Sequence, residues 1–196
     1  MKVISGYLKG RRLFFPEAGD RKLRPTKDLV REAIFDTLRE WIVGKKVLDL
    51  FAGTGALGIE AASHGAEEVV LVESDMKAVN SIRKNIEFLD ISNVCAVKKG
   101  KAERIIEGFE KEEFDLIIAD PPYDYPGNKI LYILKSIAEL KVVGDDGIIV
   151  IEHGNRNPLP EVEGMVVYKE KTYGKSTVSY LKVVKNEKNS GLSGQF

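Results

Sequence analysis

Val47-Leu48-Asp49-Leu50-Phe51-Ala52-Gly53-Thr54-Gly55-Ala56-Leu57-Gly58 is an apolar, strand-like run that passes through a glycine turn into a helix-like one. Glycines at 53 and 55 permit positive φ and leave the backbone open to close approach by a ligand. Outward from this unit, short apolar runs at 46–50, 68–73, 94–97, 114–119 and 148–152 alternate with helical patterns at 57–64, 76–89, 102–109 and 129–140. The runs are nearly continuous in apolar residues, as strands buried on both faces of a parallel sheet are. Two further extended stretches, 165–171 and 176–184, flank Tyr173-Gly174-Lys175 and predict a closing antiparallel hairpin. The fold class is therefore α/β: a doubly wound, seven-stranded sheet, mostly parallel, ending in an antiparallel pair.

Before the sheet, residues 3–8 and 12–15 read as extended pieces joined by Lys9-Gly10, a small hairpin. From 26 to 41, Leu29, Val30, Ala33, Ile34, Leu38 and Trp41 recur at helical spacing, with Thr26 as N-cap and Gly44 closing the element. The expected organisation is an RNA-binding extension over 1–43, a main domain over 44–184 and a frayed polar tail over 185–196. A chain of 196 residues needs no second large domain.

Thirty basic and thirty acidic residues cancel, so net charge identifies no partner. Their distribution is more informative. Lys2, Lys9, Arg11, Arg12, Arg21, Lys22, Arg24, Lys27 and Arg31 face only Glu17, Asp20 and Asp28 in the same stretch, a candidate phosphate-binding surface. The single cysteine, Cys95, sits among Val94, Ala96 and Val97 as a structural thiol and excludes an internal disulfide. With no long apolar run at the start or elsewhere, the chain is expected to be cytoplasmic and to contact no membrane. No Cys/His cluster exists, and no metal is expected.

The glycine turn fits G-x-G-x-x-G spacing through Gly53, Gly55 and Gly58, so a dinucleotide must be weighed against S-adenosyl-L-methionine. Asp49, inside the strand before the turn, suits an ammonium and opposes a pyrophosphate. Glu73, ending the next strand, can take ribose hydroxyls of either ligand. Asp49 could instead only brace the loop, and Asp75 reads best as the N-cap of the helix from Met76.

Asp120-Pro121-Pro122-Tyr123 follows the run Phe114-Asp115-Leu116-Ile117-Ile118-Ala119. A planar exocyclic amine is a poor nucleophile because its lone pair enters the ring. Asp120 and the Pro121 carbonyl can each accept one of its N–H groups, the prolines fix that geometry in advance, and Tyr123 can stack on the base. Such chemistry suits amine methylation and has no use in hydride transfer. The base must be unpaired or flipped to enter.

With these residues in hand, the chain resembles bacterial 16S ribosomal RNA guanine-N2 methyltransferases of the small-subunit methyltransferase D type. The resemblance rests on Ile4-Ser5-Gly6, Gly10-Arg11-Arg12-Leu13, Arg24-Pro25-Thr26, Val30-Arg31-Glu32, the whole glycine unit through Ala61, and Asp120-Pro121-Pro122-Tyr123. It implies a Rossmann-like sheet, S-adenosyl-L-methionine as cofactor, and a guanine of 16S rRNA, in an assembled or assembling 30S subunit, as substrate. The implied catalytic set is Asp120, Pro121, Pro122 and Tyr123. The implied cofactor set is Asp49, Phe51, Ala52, Gly53, Thr54, Gly55, Glu73, Ser74 and Ala102 together with Asp120. Lys9, Arg11, Arg12, Arg24, Thr26 and Arg31 are the implied RNA contacts. One position departs: the family has Asp-Ala where this chain has Lys101-Ala102, and lysine cannot accept a hydrogen bond from adenine. Backbone near Ala102 is the substitute, with Lys101 a solvated helix-start residue.

His64 and His153 are expected to be structural or surface residues away from these motifs, apart from His64's place at the end of the first sheet helix. Two other functions compete: adenine-N6 methylation, which can use the same amine clamp, and a non-catalytic RNA-binding module built on the basic N-terminal stretch.

Overall fold

The structure, a computed structural model, describes residues 1–15 and 25–184. Seven strands form one sheet: β1 (Lys46–Asp49), β2 (Glu68–Glu73), β3 (Cys95–Lys99), β4 (Phe114–Ala119), β5 (Val143–Gly154), β6 (Met165–Tyr173) and β7 (Ser176–Val183). They lie side by side in the order β3-β2-β1-β4-β5-β7-β6. The first five run parallel, while β7 is antiparallel to both β5 and β6. This is the doubly wound, Rossmann-like arrangement expected, and the order reverses at β1, which leaves a crevice between the ends of β1 and β4.

Five helices cover the sheet: α1 (Pro25–Leu38), α2 (Ala56–Ser63), α3 (Met76–Leu89), α4 (Ala102–Ile105) and α5 (Gly127–Leu140). Successive strand residues enter opposite cores. Val47, Leu116, Ile118 and Val150 pack with Ile34, Ile59 and Ile82 under α1, α2 and α3. Leu48, Ile117 and Ile149 pack with Ile133, Leu134 and Ile137 under α5. By the same alternation Asp49, Asp120 and Glu152 all turn toward the face that α1 covers. Helix α3 shows why the connections are short: Asp75 is extended and accepts Ala78 N–H at 2.9 Å, and Asp90 closes the far end at φ 57°.

The N-terminal hairpin is shorter than its sequence suggests. Pairing is confined to one antiparallel bridge, Lys2 with Arg12, and residues 5–10 turn instead of extending. The cause is Glu60, 1% exposed in α2, whose carboxylate accepts the N–H groups of Ile4 and Ser5 at 3.0 Å and 2.6 Å. The segment is thereby hydrogen-bonded to α2 rather than to itself. Gly6 has φ +73°, and a Cβ there would stand 1.9 Å from the Ser63 carbonyl oxygen, so no other residue fits without moving the backbone.

Three boundaries also differ. Helix α1 starts at Pro25, so Thr26 lies inside its first turn and not at the cap. Helix α4 is short and tightens into a 3-10 turn over Ile106–Gly108, where β-branched residues and a glycine weaken the helix. Strand β5 begins at Val143, ahead of the apolar run 148–152, and a register shift between Phe114 and Leu116 absorbs residues 144–147. The tail at 185–196 lies outside the described residues. Among the described residues, no helix is long and apolar enough to cross a membrane.

Candidate active site

The glycine corner is locked between its neighbours: Leu50 donates to Ile118 O at 2.9 Å and Ala52 to Val72 O at 3.0 Å. Gly55, at φ +78°, has no room for a Cβ, which would meet Ile82 Cγ1 at 3.2 Å. Gly53, at φ +54°, differs: a Cβ there would find only the Phe51 carbonyl oxygen at 3.9 Å, so its face is open to a ligand. Thr54 is half-buried beside it and Ala52 is buried. Phe51 packs edge-on against Tyr125, with centroids 5.0 Å apart. The glycine turn and the segment after Asp120 are therefore in direct contact.

Asp49 is fully buried beneath this corner. Its Oδ2 accepts Gly58 N–H at 2.9 Å, the loop-bracing role, while Oδ1 is buried without a hydrogen-bond partner. Burial is the main force pushing its pKa up to about 7; the Gly58 and Phe51 amides oppose this, and the charges of Asp120 and Glu73 add to it. An orphaned carboxylate oxygen in such a place is stabilised by a donor that brings positive charge.

Glu73 ends β2 with its carboxylate already engaged. Oε2 accepts Gly53 N–H at 2.8 Å, and Oε1 accepts Ser74 N–H at 2.7 Å and Asp75 N–H at 2.8 Å. A carboxylate has about four acceptor sites, so Oε2 retains capacity for a hydroxyl. Ser74 is exposed. Gly100 donates to Glu73 O at 3.0 Å and brings the start of α4 alongside, with Ala102 buried at 4% and Lys101 exposed at the cap without a side-chain bond to the helix.

At the end of β4, Asp120 Oδ2 accepts a hydrogen bond from Lys27 Nζ at 2.5 Å. Lys27, in sequence only one more cation of the basic stretch, is thus part of the site. Burial would lower its pKa, but the charge and hydrogen bond of Asp120, with Glu152 and Tyr123 behind, outweigh that and raise it. Tyr125 N–H occupies the Pro122 carbonyl at 2.9 Å, so the acceptor next to Asp120 is that of Pro121. The Tyr123 hydroxyl and Ser176 Oγ are 2.8 Å apart, which ties a half-exposed ring to β7. A cavity of about 420 Å³ opens here, with Asp120, Pro121, Pro122 and Tyr123 on one side and Glu152, His153 and Gly154 on the other.

Glu152 and His153 carry no site signal in the sequence. Glu152 is 5% exposed, and burial, followed by the charge of Asp120, raises its pKa against the opposing Lys27 charge and Ser176 hydroxyl. His153 does not lie away from the motifs: it lines the cavity, held by Asn157 O at 3.0 Å from Nδ1 and Ser179 Oγ at 2.8 Å from Nε2. His64 is structural, stacked on Phe35 and 2.7 Å from Ser5 Oγ. Burial pushes the Cys95 thiol up to about 12, consistent with a structural role.

Among the described residues, the basic side chains of the N-terminal stretch do not form one surface. Arg31 is a correction: only 4% exposed, it pairs with Glu60 at 3.3 Å and donates to the Lys2 carbonyl at 2.9 Å, so it has no free face for a phosphate. Lys9, Arg11 and Arg12 are exposed. Arg11 lies over the Phe88 ring at 5.2 Å, at the far end of α3 from the catalytic crevice. Arg24 lies outside the described residues, as does the side chain of Thr26. Among the described residues, no cluster of His, Cys, Asp and Glu could hold a metal ion.

This sheet order, with a glycine corner after β1 and Asp120-Pro121-Pro122-Tyr123 after β4, is that of a Rossmann-like methyltransferase. A solved structure titled "Putative methyltransferase yhhF from Escherichia coli" superposes with a TM-score of 0.80 at 27% identity, covering 94% of this chain and 98% of that one. The family described as Conserved hypothetical protein 95 matches residues 1–182. "Putative rRNA methyltransferase YlbH" of Bacillus subtilis is 38% identical, covering 93% of this chain and 98% of its own. "Ribosomal RNA small subunit methyltransferase D" of Escherichia coli K12 is 30% identical, covering 89% of this chain and 85% of its own. The chain belongs to this ribosomal RNA small subunit methyltransferase D family.

Proposed function

We propose that the protein transfers a methyl group from S-adenosyl-L-methionine to the exocyclic N2 of one guanine in 16S ribosomal RNA. The observation that carries this reading is the meeting of two strand ends. Asp49 and Asp120 stand at the ends of neighbouring strands and turn to the same face, and the charge of Asp120 acts on Asp49. The names of the relatives support ribosomal RNA as substrate.

The residues fit the cofactor. Asp49 Oδ1 lacks a donor, as an amino-acid ammonium could provide directly or through water; the open face of Gly53 admits a ligand to the backbone; Glu73 Oε2 has capacity for a ribose hydroxyl. When bound, S-adenosylmethionine supplies a methyl carbon made electrophilic by its sulfonium. The protein does the positioning. Asp120 and the Pro121 carbonyl accept the two amine N–H groups, which favours a pyramidal nitrogen with its lone pair toward the β1 corner. Asp120 then takes the proton that the nitrogen sheds, and Tyr123, anchored by Ser176, offers its ring to the base. Lys27 must leave Asp120 Oδ2 for the amine to enter.

The test is transfer of labelled methyl to small-subunit RNA and to 30S particles, followed by nucleoside analysis. N2-methylguanosine is expected; N6-methyladenosine rejects the guanine assignment. Asp120→Ala should abolish turnover while binding of S-adenosylhomocysteine survives. Equal loss of both would place Asp120 on the cofactor instead of the amine.

A further inference from the structure

We propose that Glu152 selects guanine by accepting its N1–H while Asp120 holds the neighbouring N2 amine. The inference rests on the guanine-N2 reading above and names the residue that makes it specific.

Ala119 and Ile151 are register partners on adjacent parallel strands, and Asp120 and Glu152 are the next residue of each. Their backbones are thus roughly 5 Å apart, and their side chains emerge on the same face. Both line the same cavity. Two carboxylates side by side make a row of acceptors with no donor between them except a cation. Lys27 is that cation in the base-free protein: its ammonium donates to Asp120 Oδ2 at 2.5 Å and its charge also acts on Glu152. An N–H donor therefore already stands on this pair.

Glu152 is a built feature, not a surface acid. It is 5% exposed, and its Oε1 is buried with no hydrogen-bond partner. The Ser176 hydroxyl, which also meets Tyr123, favours its charged form, as does Lys27. Burial and the neighbouring Asp120 charge act the other way and together push its pKa up, a cost that a donor seated on the carboxylate relieves. The Tyr123 ring and this second acceptor are thus linked through Ser176.

The Watson–Crick edge of guanine matches that row. It presents N1–H and N2–H side by side, both donors. Adenine presents a bare N1 lone pair beside its amine, which a carboxylate repels. The informative probe is 2-aminopurine, which keeps the N2 amine but has a bare N1. A site whose buried acceptor is left facing a lone pair rejects such an analogue strongly.

The experiment uses the full chain and small-subunit RNA carrying guanine or 2-aminopurine at the position to which labelled methyl maps. The wild-type protein should favour guanine by about 100-fold or more in kcat/KM. Glu152→Gln, whose amide can donate to a bare N1, should narrow that ratio to roughly tenfold or less, mainly by losing rate on guanine. Unchanged S-adenosylhomocysteine binding by calorimetry identifies a folded variant, and the wild-type comparison needs no variant at all. Wild-type protein that methylates 2-aminopurine as fast as guanine, or Glu152→Gln that keeps the wild-type ratio, overturns the role of Glu152 while N2 methylation stands. Label recovered on adenine N6 overturns both.

Discussion

Lys27 Nζ lies 2.5 Å from Asp120 Oδ2, a contact between residues 93 positions apart that joins the first turn of α1 to the end of β4. The N-terminal helix thereby contributes a charge to the Asp120 carboxylate at the cavity. Lys27 is 42% and Asp120 23% exposed at the side chain, so the pair stays within reach of solvent and of an incoming base.

Replacing Lys27 by Met should cost less than about 1 kcal/mol of stability, because a partly exposed ion pair is screened. Its effect on turnover should be larger and pH-dependent. Without the ammonium, Glu152 loses the charge that opposes its burial and keeps a proton to higher pH, so the acceptor row loses part of its charge as pH falls. The ratio of variant to wild-type kcat/KM should be lowest near about pH 6.5 and recover toward about pH 8.5. A variant faster than wild type at every pH would make Lys27 an obstacle only.

Burial holds Asp49 up to about 7, so cofactor binding through Asp49, as proposed, should depend on pH. Below that value the free site is protonated and must release a proton to meet an ammonium, so affinity for S-adenosylhomocysteine should weaken by about tenfold per pH unit. Calorimetry in buffers of different ionisation enthalpy should detect the released proton. The same shift works on stability in the opposite sense: a folded-state pKa above the ordinary 3.8 favours folding at low pH, and that contribution is lost as pH rises from about 4 through 7. Asp49→Asn should flatten both profiles. Identical pH dependence in the variant would remove Asp49 from the cofactor site.

What the sequence makes readable follows from how locally each feature is encoded. The glycine corner and the Asp-Pro-Pro-Tyr clamp each occupy a few consecutive residues beside an apolar run, so their chemistry and their placement at strand ends can be read together. Lys27 and Glu152 cannot be found that way. Lys27 looks like one of many cations, and Glu152 only ends an apolar run; their meaning arises from β4 and β5 standing side by side. Counting charge along the chain misreads Arg31. In space, Glu60 lies beside it and converts a supposed phosphate ligand into a buried staple. The same carboxylate shortens the hairpin, since Glu60 takes the Ile4 and Ser5 amides. One signal in the sequence does point to that cluster: a glutamate inside the otherwise apolar helix 56–63 asks for a buried partner.

That staple predicts a large stability effect far from the chemistry. Glu60→Ala leaves the buried Arg31 guanidinium, among the described residues, with the half-exposed Asp28 as its counter-charge and removes four hydrogen bonds from residues 4 and 5. Loss of one partner of a buried pair costs about 3 to 5 kcal/mol. Urea unfolding should show it, together with faster proteolysis within the first fifteen residues. A loss under about 1 kcal/mol would mean that the N-terminal segment reattaches by other interactions.

The remaining basic residues make a separable prediction about RNA. Arg11 and Arg12 are exposed, and Arg11 is fixed on Phe88 near the end of α3. Helix α3 has 14 residues and starts at the catalytic edge of the sheet, which puts this cluster about 20 Å from that edge. Phosphates bound there would anchor RNA without touching the reacting base. Arg11→Ala with Arg12→Ala should therefore raise KM with little change in kcat. It should also reduce the slope of log affinity against log salt by about 0.7 to 0.9 for each phosphate that is no longer neutralised. An unchanged slope would move the RNA surface to another face, with the amine pocket and its carboxylates unaffected.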